Sequence, residues 1–490
     1  MKKILNILLG CSILLASCKP GDFGTLNYDQ TKVTRVPTSA LLTNAIQITL
    51  PLTTFGPSAA NSYVQYMANA TAIAEYGGIY FPWSSSFDVN AKMYDGPLNN
   101  LQTIIDMNNE NDPMSLTSGF KDNQVAVSRI LKAYYFWSLT DRYGDIPYSE
   151  ALKGNGNYTP KYDLQKDIYY DLFKEFKEAS AQIDEGQLGV VGDILFKGDM
   201  TKWKMFANTC RMMMALRLIK NDFEKGKTEF NEALTAGSLT SNADNVIYYY
   251  IANDPNNYNP FYQAYAIEAD NGTAIASTIV DFMETQHDPR LPVYGEDLNG
   301  IVVGSPFGIK QNTVLGSFSR PGKSPCTTSS CPDNFFRSAG APSPIFSYAQ
   351  VLFTLAEAAK IGYISGGDAE AATYYADGIQ ASFEYYGVYD DTGYANFMAQ
   401  SDVAYDPANG LKQIMDQKWV HLFLNGYESW TDWRRTGYPE LIPAANGAIA
   451  VIPRRQGYPI DEVGVNPIGY KAAVERQGPD DLETRIWWDK

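Results

Sequence analysis

Histidine and cysteine are scarce in this chain, with two of the first and five of the second among 490 residues. His287 and His421 lie far apart in sequence, and neither has a partner at zinc-ligand spacing, so no metal or other cofactor is expected. Long apolar runs are missing too: Ile4 to Ala16 stops well short of the roughly 20 residues a membrane span needs. Basic residues number 39 against 55 acids, a net charge of −16, which argues against nucleic acid and against docking on anionic lipid. There is no nucleophile elbow, phosphate loop, dinucleotide fingerprint or His-Glu-x-x-His pair. Two carboxylates can suffice for glycoside hydrolysis, but nothing singles out a pair among the 55 acids. No Gly/Ser-rich or Pro-rich linker splits the chain beyond residue 37, so residues 38–490 are expected to form one domain.

What is present begins with Lys2 and Lys3 ahead of that apolar run, the order of a secretory signal. The run ends in Leu15-Ala16-Ser17-Cys18, a lipobox: a branched residue and two small ones leading to the cysteine that takes the lipid. Residues 1–17 are therefore expected to be removed, Cys18 to carry palmitate-type acyl chains, and residues 18–37 to act as a polar tether. Loss of Lys2 and Lys3 moves the net charge to −18. Cys210, among Phe206, Met212, Met213 and Leu216, reads as a buried small hydrophobe. Cys326 and Cys331 flank Thr-Thr-Ser-Ser in a Pro-rich loop outside the cytosol, where a local disulfide is expected.

Helical periodicity dominates the body. Val127, Ile130, Leu131, Tyr134 and Tyr135 define one apolar face of a helix over residues 121–142. Further helices are expected from Ser58 to Tyr76, after Pro97, and over 164–183, 199–219, 347–364, 368–386 and 409–424. Short Gly-containing connections between them suggest stacked helix pairs. Ala133 and Trp137 match a fragment of the tetratricopeptide pattern.

Two stretches break the habit: residues 77–97 and 236–344, rich in Asn, Gly, Pro, Ser and Tyr, with one good helix near Thr273 to Thr285. Long loop-rich segments in a compact protein usually carry function. Aromatics are abundant (34 Tyr, 23 Phe, 8 Trp), and their faces suit the apolar C–H side of a sugar ring. Most of those on helical faces belong to the core. Those in the loops are the candidate ligand contacts: Tyr80, Phe81, Trp83 and Tyr94 in the first segment, with Asp88 as a polar neighbour, and Tyr258 and Tyr262 in the second.

The C-terminal string Asn425-Gly426-x-Glu428-x-Trp430-x-x-Trp433-Arg434-Arg435-Thr436-Gly437-Tyr438-Pro439 resembles the signature of the SusD/RagB family of nutrient-binding outer-membrane lipoproteins. Leu139 to Tyr148, Asp288-Pro289-Arg290-Leu291, Arg454 to Pro459 and Arg485 to Asp489 resemble four further family strings, in the family's order. The resemblance implies a mainly α, tetratricopeptide-like helical repeat scaffold with a loop-rich ligand-binding insertion. It also implies a non-catalytic protein that captures oligosaccharide, or in some branches peptide, and acts as the lid of a SusC-like TonB-dependent transporter at the outer face of the outer membrane. Of the family's functional residues only the lipidated cysteine carries over, to Cys18.

Overall fold

The computed structural model describes residues 36–53, 58–69, 93–267, 272–308, 317–322, 336–444 and 451–490, and the body runs from Thr38 to Lys490. Its long helices are α1 (Thr38–Thr49), α2 (Asn99–Asn109), α3 (Lys121–Tyr143), α4 (Gln165–Gln182), α5 (Met200–Leu216), α6 (Phe223–Ala236), α7 (Ser277–Thr285), α8 (Tyr348–Ile361), α9 (Gly367–Tyr385), α10 (Asp391–Met398), α11 (Gly410–His421), α12 (Gly426–Thr436) and α13 (Pro467–Gln477). Consecutive helices pack as pairs, α3 on α4, α5 on α6 and α8 on α9, in the manner of a tetratricopeptide array. None of the described helices is long and apolar enough to cross a membrane.

Local chemistry accounts for the helix ends. Asp199, Asp222 and Ser347 accept backbone N–H bonds at the starts of α5, α6 and α8, satisfying donors that a first helical turn leaves open. Gly144 stops α3 with φ +83°, and a Cβ there would lie 1.9 Å from Gln477 Oε1. The main core forms where Tyr134, Trp203, Phe206 and Phe346 meet across α3, α5 and a distant strand. A second core gathers Tyr63, Tyr66, Trp419, Phe423 and Trp430.

Sheet is confined to three antiparallel pairs among the described residues: β1 (Met67–Asn69) with β5 (Thr273–Ile275), β2 (Ile146–Pro147) with β3 (Tyr162–Asp163), and β4 (Val246–Tyr249) with β6 (Pro342–Phe346). The helix expected from Ser58 to Tyr76 is corrected here: it ends at Tyr63, and the chain becomes β1. Gln65 adopts a left-handed φ of 59°, which breaks the helix, and its amide is held by Ile442 O and Thr278 Oγ1 instead. The helix near Thr273 likewise begins only at Ser277, because 273–275 pair with β1.

The strings that resemble family signatures converge on buried polar networks. Arg217 bridges Glu428 (2.6 Å) and Asp141 (3.6 Å), and Trp488 Nε1 donates to Asp141 (3.0 Å). Arg435 grips Glu357 with both terminal nitrogens and Asp432 at 2.8 Å, while Lys418 sits 2.8 Å from the other oxygen of Asp432. The Arg434 guanidinium lies between the Trp430 and Trp488 rings, 3.7 and 4.5 Å from their centroids, contacts that contribute up to about 2 kcal/mol each when desolvated. Asp288 and Arg290 form a fully buried pair that also reaches Ser382 and Gln417. Gly426 lets α12 approach the helix Ala59–Tyr63, since a Cβ would sit 2.5 Å from the Asn61 nitrogen. The signatures thus tie helix pairs and insertion into one body.

Candidate functional site

The strand β1 joins the N-terminal part of the body to the insertion 236–344. The chain leaves β1 at Asn69, just before residues 77–97, and Asn69 lies opposite Thr273, inside the stretch 236–344. Ala276 pairs with Ser305, Ser277 N donates to Ser305 O (2.8 Å) and Ile275 N to Ser319 O (2.9 Å), so several loops of the insertion fasten to the same small sheet. Sequence distance of about two hundred residues is therefore closed at one edge.

Cys18, Tyr80, Phe81, Trp83, Asp88, Cys326 and Cys331 lie outside the described residues. Tyr94, Tyr258 and Tyr262 lie within them. Tyr94 sits in the turn that opens α2, its hydroxyl donating to Pro147 O (2.6 Å) and its ring meeting Phe136 edge-on. Burial pushes its phenol well above the ordinary range, so the group acts as a neutral donor.

Tyr94 lines a cleft of about 620 Å³ together with Tyr158, Lys153, Asp95, Asp461 and Glu462. Tyr158 is 72% exposed. Glu462 accepts a short hydrogen bond from Tyr162, and burial raises its carboxyl pKa against that bond's opposite pull. Asn466 is spent on structure: its Nδ2 donates to Pro160 O and its Oδ1 accepts from Gly469 N. Asn157 likewise donates to Glu150. The lining thus combines an exposed tyrosine with the carboxylates of Asp95 and Asp461 and the Lys153 ammonium, residue types suited to stacking on a ring and bonding its hydroxyls.

Tyr258 and Tyr262 form an edge-on pair with centroids 5.0 Å apart. Tyr262 is only 4% exposed, packed by Ala339 and pinned through Asn259, whose Oδ1 accepts from Phe261 N (2.8 Å) and Tyr262 N (3.3 Å). Half-buried Tyr258 presents the more open ring of the two. No described residue of 236–344 lines the Tyr94 cleft, so these tyrosines are not brought to one pocket with Tyr94. Tyr158, Lys153 and Asp461 escaped the sequence reading. The available signal was Gly-Asn-Gly-Asn-Tyr158-Thr-Pro, an aromatic set among turn formers with no helical face to bury.

No group of three His, Cys, Asp or Glu able to hold a metal occurs among the described residues. His421 is buried, with Ser347 Oγ 2.6 Å from Nε2 and Ser382 Oγ 2.9 Å from Nδ1. Burial, helped by the Arg290 and Lys418 charges, holds its pKa down to about 3, so it is a neutral core residue.

The helical fold agrees with comparisons to known proteins. The SusD-like family profile, described as "Starch-binding associating with outer membrane", matches residues 30–459. The chain belongs to the SusD-like family. Among solved structures, a chitin-binding protein is 29% identical, with a TM-score of 0.73 over 92% of this chain and 100% of that one. A chitin-binding SusD homologue from Flavobacterium johnsoniae is 26% identical, with a TM-score of 0.74 over 92% and 98%. A SusD homologue from Bacteroides fragilis is 27% identical, with a TM-score of 0.72 over 93% and 100%. No curated protein sequence matches the chain.

Proposed function

We propose that the protein is a non-catalytic lipoprotein of the outer cell surface that captures oligosaccharide on its loop-rich face and passes it to a SusC-like TonB-dependent transporter in the outer membrane. The observation that carries this reading is the likeness, over 92% of the chain, to two structures described as chitin-binding, together with a family description that names starch binding. Cys18 supplies the anchor, after removal of residues 1–17, and residues 18–37 the tether. In this reading the loop aromatics Trp83, Tyr80, Phe81 and Tyr258 supply stacking surfaces together with Tyr158, while Asp88 and the polar groups of the Tyr94 cleft serve the hydroxyls.

Isothermal titration against chitin oligosaccharides, malto-oligosaccharides and a peptide panel tests the reading. Saturable binding of one glycan class without product release is expected. Binding of peptides alone would move the protein to a peptide-capturing branch, and release of shorter sugars from polysaccharide would make it a surface hydrolase.

A further inference from the structure

Two stretches far apart in sequence line the Tyr94 cleft. The hairpin β2–β3 with its turn supplies Pro147, Lys153, Tyr158 and Pro160, and the segment after Tyr458 supplies Asp461, Glu462 and Val465. This C-terminal wall has little apolar burial to hold it. Ile460, Val463 and Val465 are 65%, 55% and 62% exposed, and the single turn Glu462–Val465 buries no side chain. Polar bonds tie it to the hairpin: the Tyr162 hydroxyl donates to the Glu462 carboxylate, and Asn466 Nδ2 donates to Pro160 O (2.7 Å).

Tyr162 itself is held from several sides. It is buried, its ring meets Tyr458 edge-on at 5.3 Å, and a Cβ on Gly469 would come within 2.8 Å of that ring. Behind it, Arg476 Nη2 donates to Tyr162 O (2.9 Å) and to Asp145 (2.9 Å), and the Tyr458 hydroxyl donates to Asp145 O (2.7 Å). Burial, reinforced by the Glu462 charge, holds the Tyr162 phenol far above its ordinary range, so it stays a donor. Tyr162 does not line the cleft, whereas Glu462 does. A hydrogen bond to an ionised acceptor is roughly twice as strong as a neutral one, and little apolar contact competes with it in placing the wall.

We propose that Tyr162 is a positioning residue of the cleft: through its bond to Glu462 it fixes the wall 461–466, which shares the cleft with Tyr94 and Tyr158, and so sets how tightly a glycan is held. This inference rests on the glycan-binding reading of that cleft. Without the phenol proton the half-buried Glu462 carboxylate loses this donor and turns toward solvent, carrying Asp461 with it. The wall is then in place for only part of the time, and the measured affinity falls by the fraction of molecules in which it is formed.

The test uses the whole chain with Tyr162→Phe, which removes the hydroxyl and keeps the ring. Hydrogen exchange of the ligand-free protein, followed by mass spectrometry, should be about tenfold faster over residues 459–466 than in the parent, the size expected for loss of a bond to a charged group, with Tm little changed. Glu462→Met, which breaks the same bond from the cleft side, should speed exchange equally. Titration with chitin oligosaccharides and malto-oligosaccharides should show the series that the parent binds held several-fold more weakly by Tyr162→Phe. Glu462→Gln, which keeps an oxygen to accept from Tyr162, should retain most of the protection and affinity. Tyr470→Phe, which removes a hydroxyl bonded to Asp480 outside the cleft, should change neither. Unchanged exchange in Tyr162→Phe and Glu462→Met, or equal losses in Tyr470→Phe, would overturn the proposal. A parent that binds no glycan would overturn the glycan reading and the positioning role with it, whereas a parent that binds and a Tyr162→Phe variant that binds equally well would overturn the positioning role alone.

Discussion

Glu357→Ala removes one carboxylate from the centre of the scaffold. The Glu357 side chain is fully buried, and both oxygens accept from Arg435, which keeps only Asp432 at 2.8 Å once they are gone. The surrounding cluster holds the cations Arg217, Lys418, Arg434 and Arg435 against Asp141, Glu357, Glu428 and Asp432, so the deletion leaves one uncompensated positive charge in a dry interior. Breaking a buried pair in this way costs about 3–5 kcal/mol. With an unfolding entropy of roughly 2 cal/mol/K per residue, a cooperative body of about 450 residues changes by roughly 1 kcal/mol per kelvin, so Tm should fall by about 3–5 °C. Replacing both partners, Glu357→Met with Arg435→Met, should recover most of the loss because Asp432 retains Lys418. Urea unfolding followed by tryptophan fluorescence, with calorimetry, measures the cycle. Glycan affinity of the folded single variant should be unchanged. A loss under about 1 kcal/mol, a double variant as unstable as the sum of the singles, or abolished binding at intact stability would refute the assignment of these strings to structure.

Further outcomes can be checked in parallel. His421 binds a proton near pH 6.5 when unfolded but only near 3 when folded, so stability should fall as pH drops through that window, by about 1.4 kcal/mol per pH unit and some 2–3 kcal/mol between 6.5 and 4.5. His421→Asn should flatten that slope in urea titrations, and identical slopes would contradict the buried-neutral state. Gly426→Ala should destabilise by about 1–3 kcal/mol in the same assay, because the added methyl meets the Asn61 backbone. Tyr158→Ala and Trp83→Ala should each weaken glycan binding by about 1–3 kcal/mol, roughly 5- to 150-fold, in calorimetry with Tm unchanged; unaltered affinity removes that residue from the platform. Cys18→Ser should shift the protein from the membrane fraction to the soluble fraction on blotting, and undiminished membrane retention would exclude the lipid anchor.

Much of the helical scaffold was legible because it is local. The apolar stripe of Val127, Ile130, Leu131 and Tyr134 predicts residues 121–142, and α3 spans Lys121–Tyr143; α4, α5, α8, α9 and α11 follow their periodicities within three residues or so at each end. The cap by Asn425 at the start of α12 emerged only with the structure. What local pattern could not show was long-range. Gln65 turns left-handed to meet Ile442 and Thr278, and β1 finds its partner about two hundred residues away, so an amphipathic stretch starting at Ser58 does not remain helical. Arg435 lies in the last turn of α12, yet its main partner, Glu357, is 78 positions upstream, a pairing no local pattern announces. Of the candidate contacts, Tyr94 enters a cleft whose far wall, Asp461 and Glu462, comes from the other end of the chain, and Tyr262 turns inward because Asn259 fixes its backbone. Loop aromatics reveal their chemistry in sequence, but which of them face solvent is decided by tertiary contacts.

The central claim, glycan capture without catalysis, is tested most directly by titrating the purified protein with chitin oligosaccharides and malto-oligosaccharides and then analysing the same samples for cleavage. Saturable binding of one series, with every oligosaccharide recovered at its original length, is the predicted result. No heat of binding to any glycan, or the appearance of shorter sugars, would contradict it.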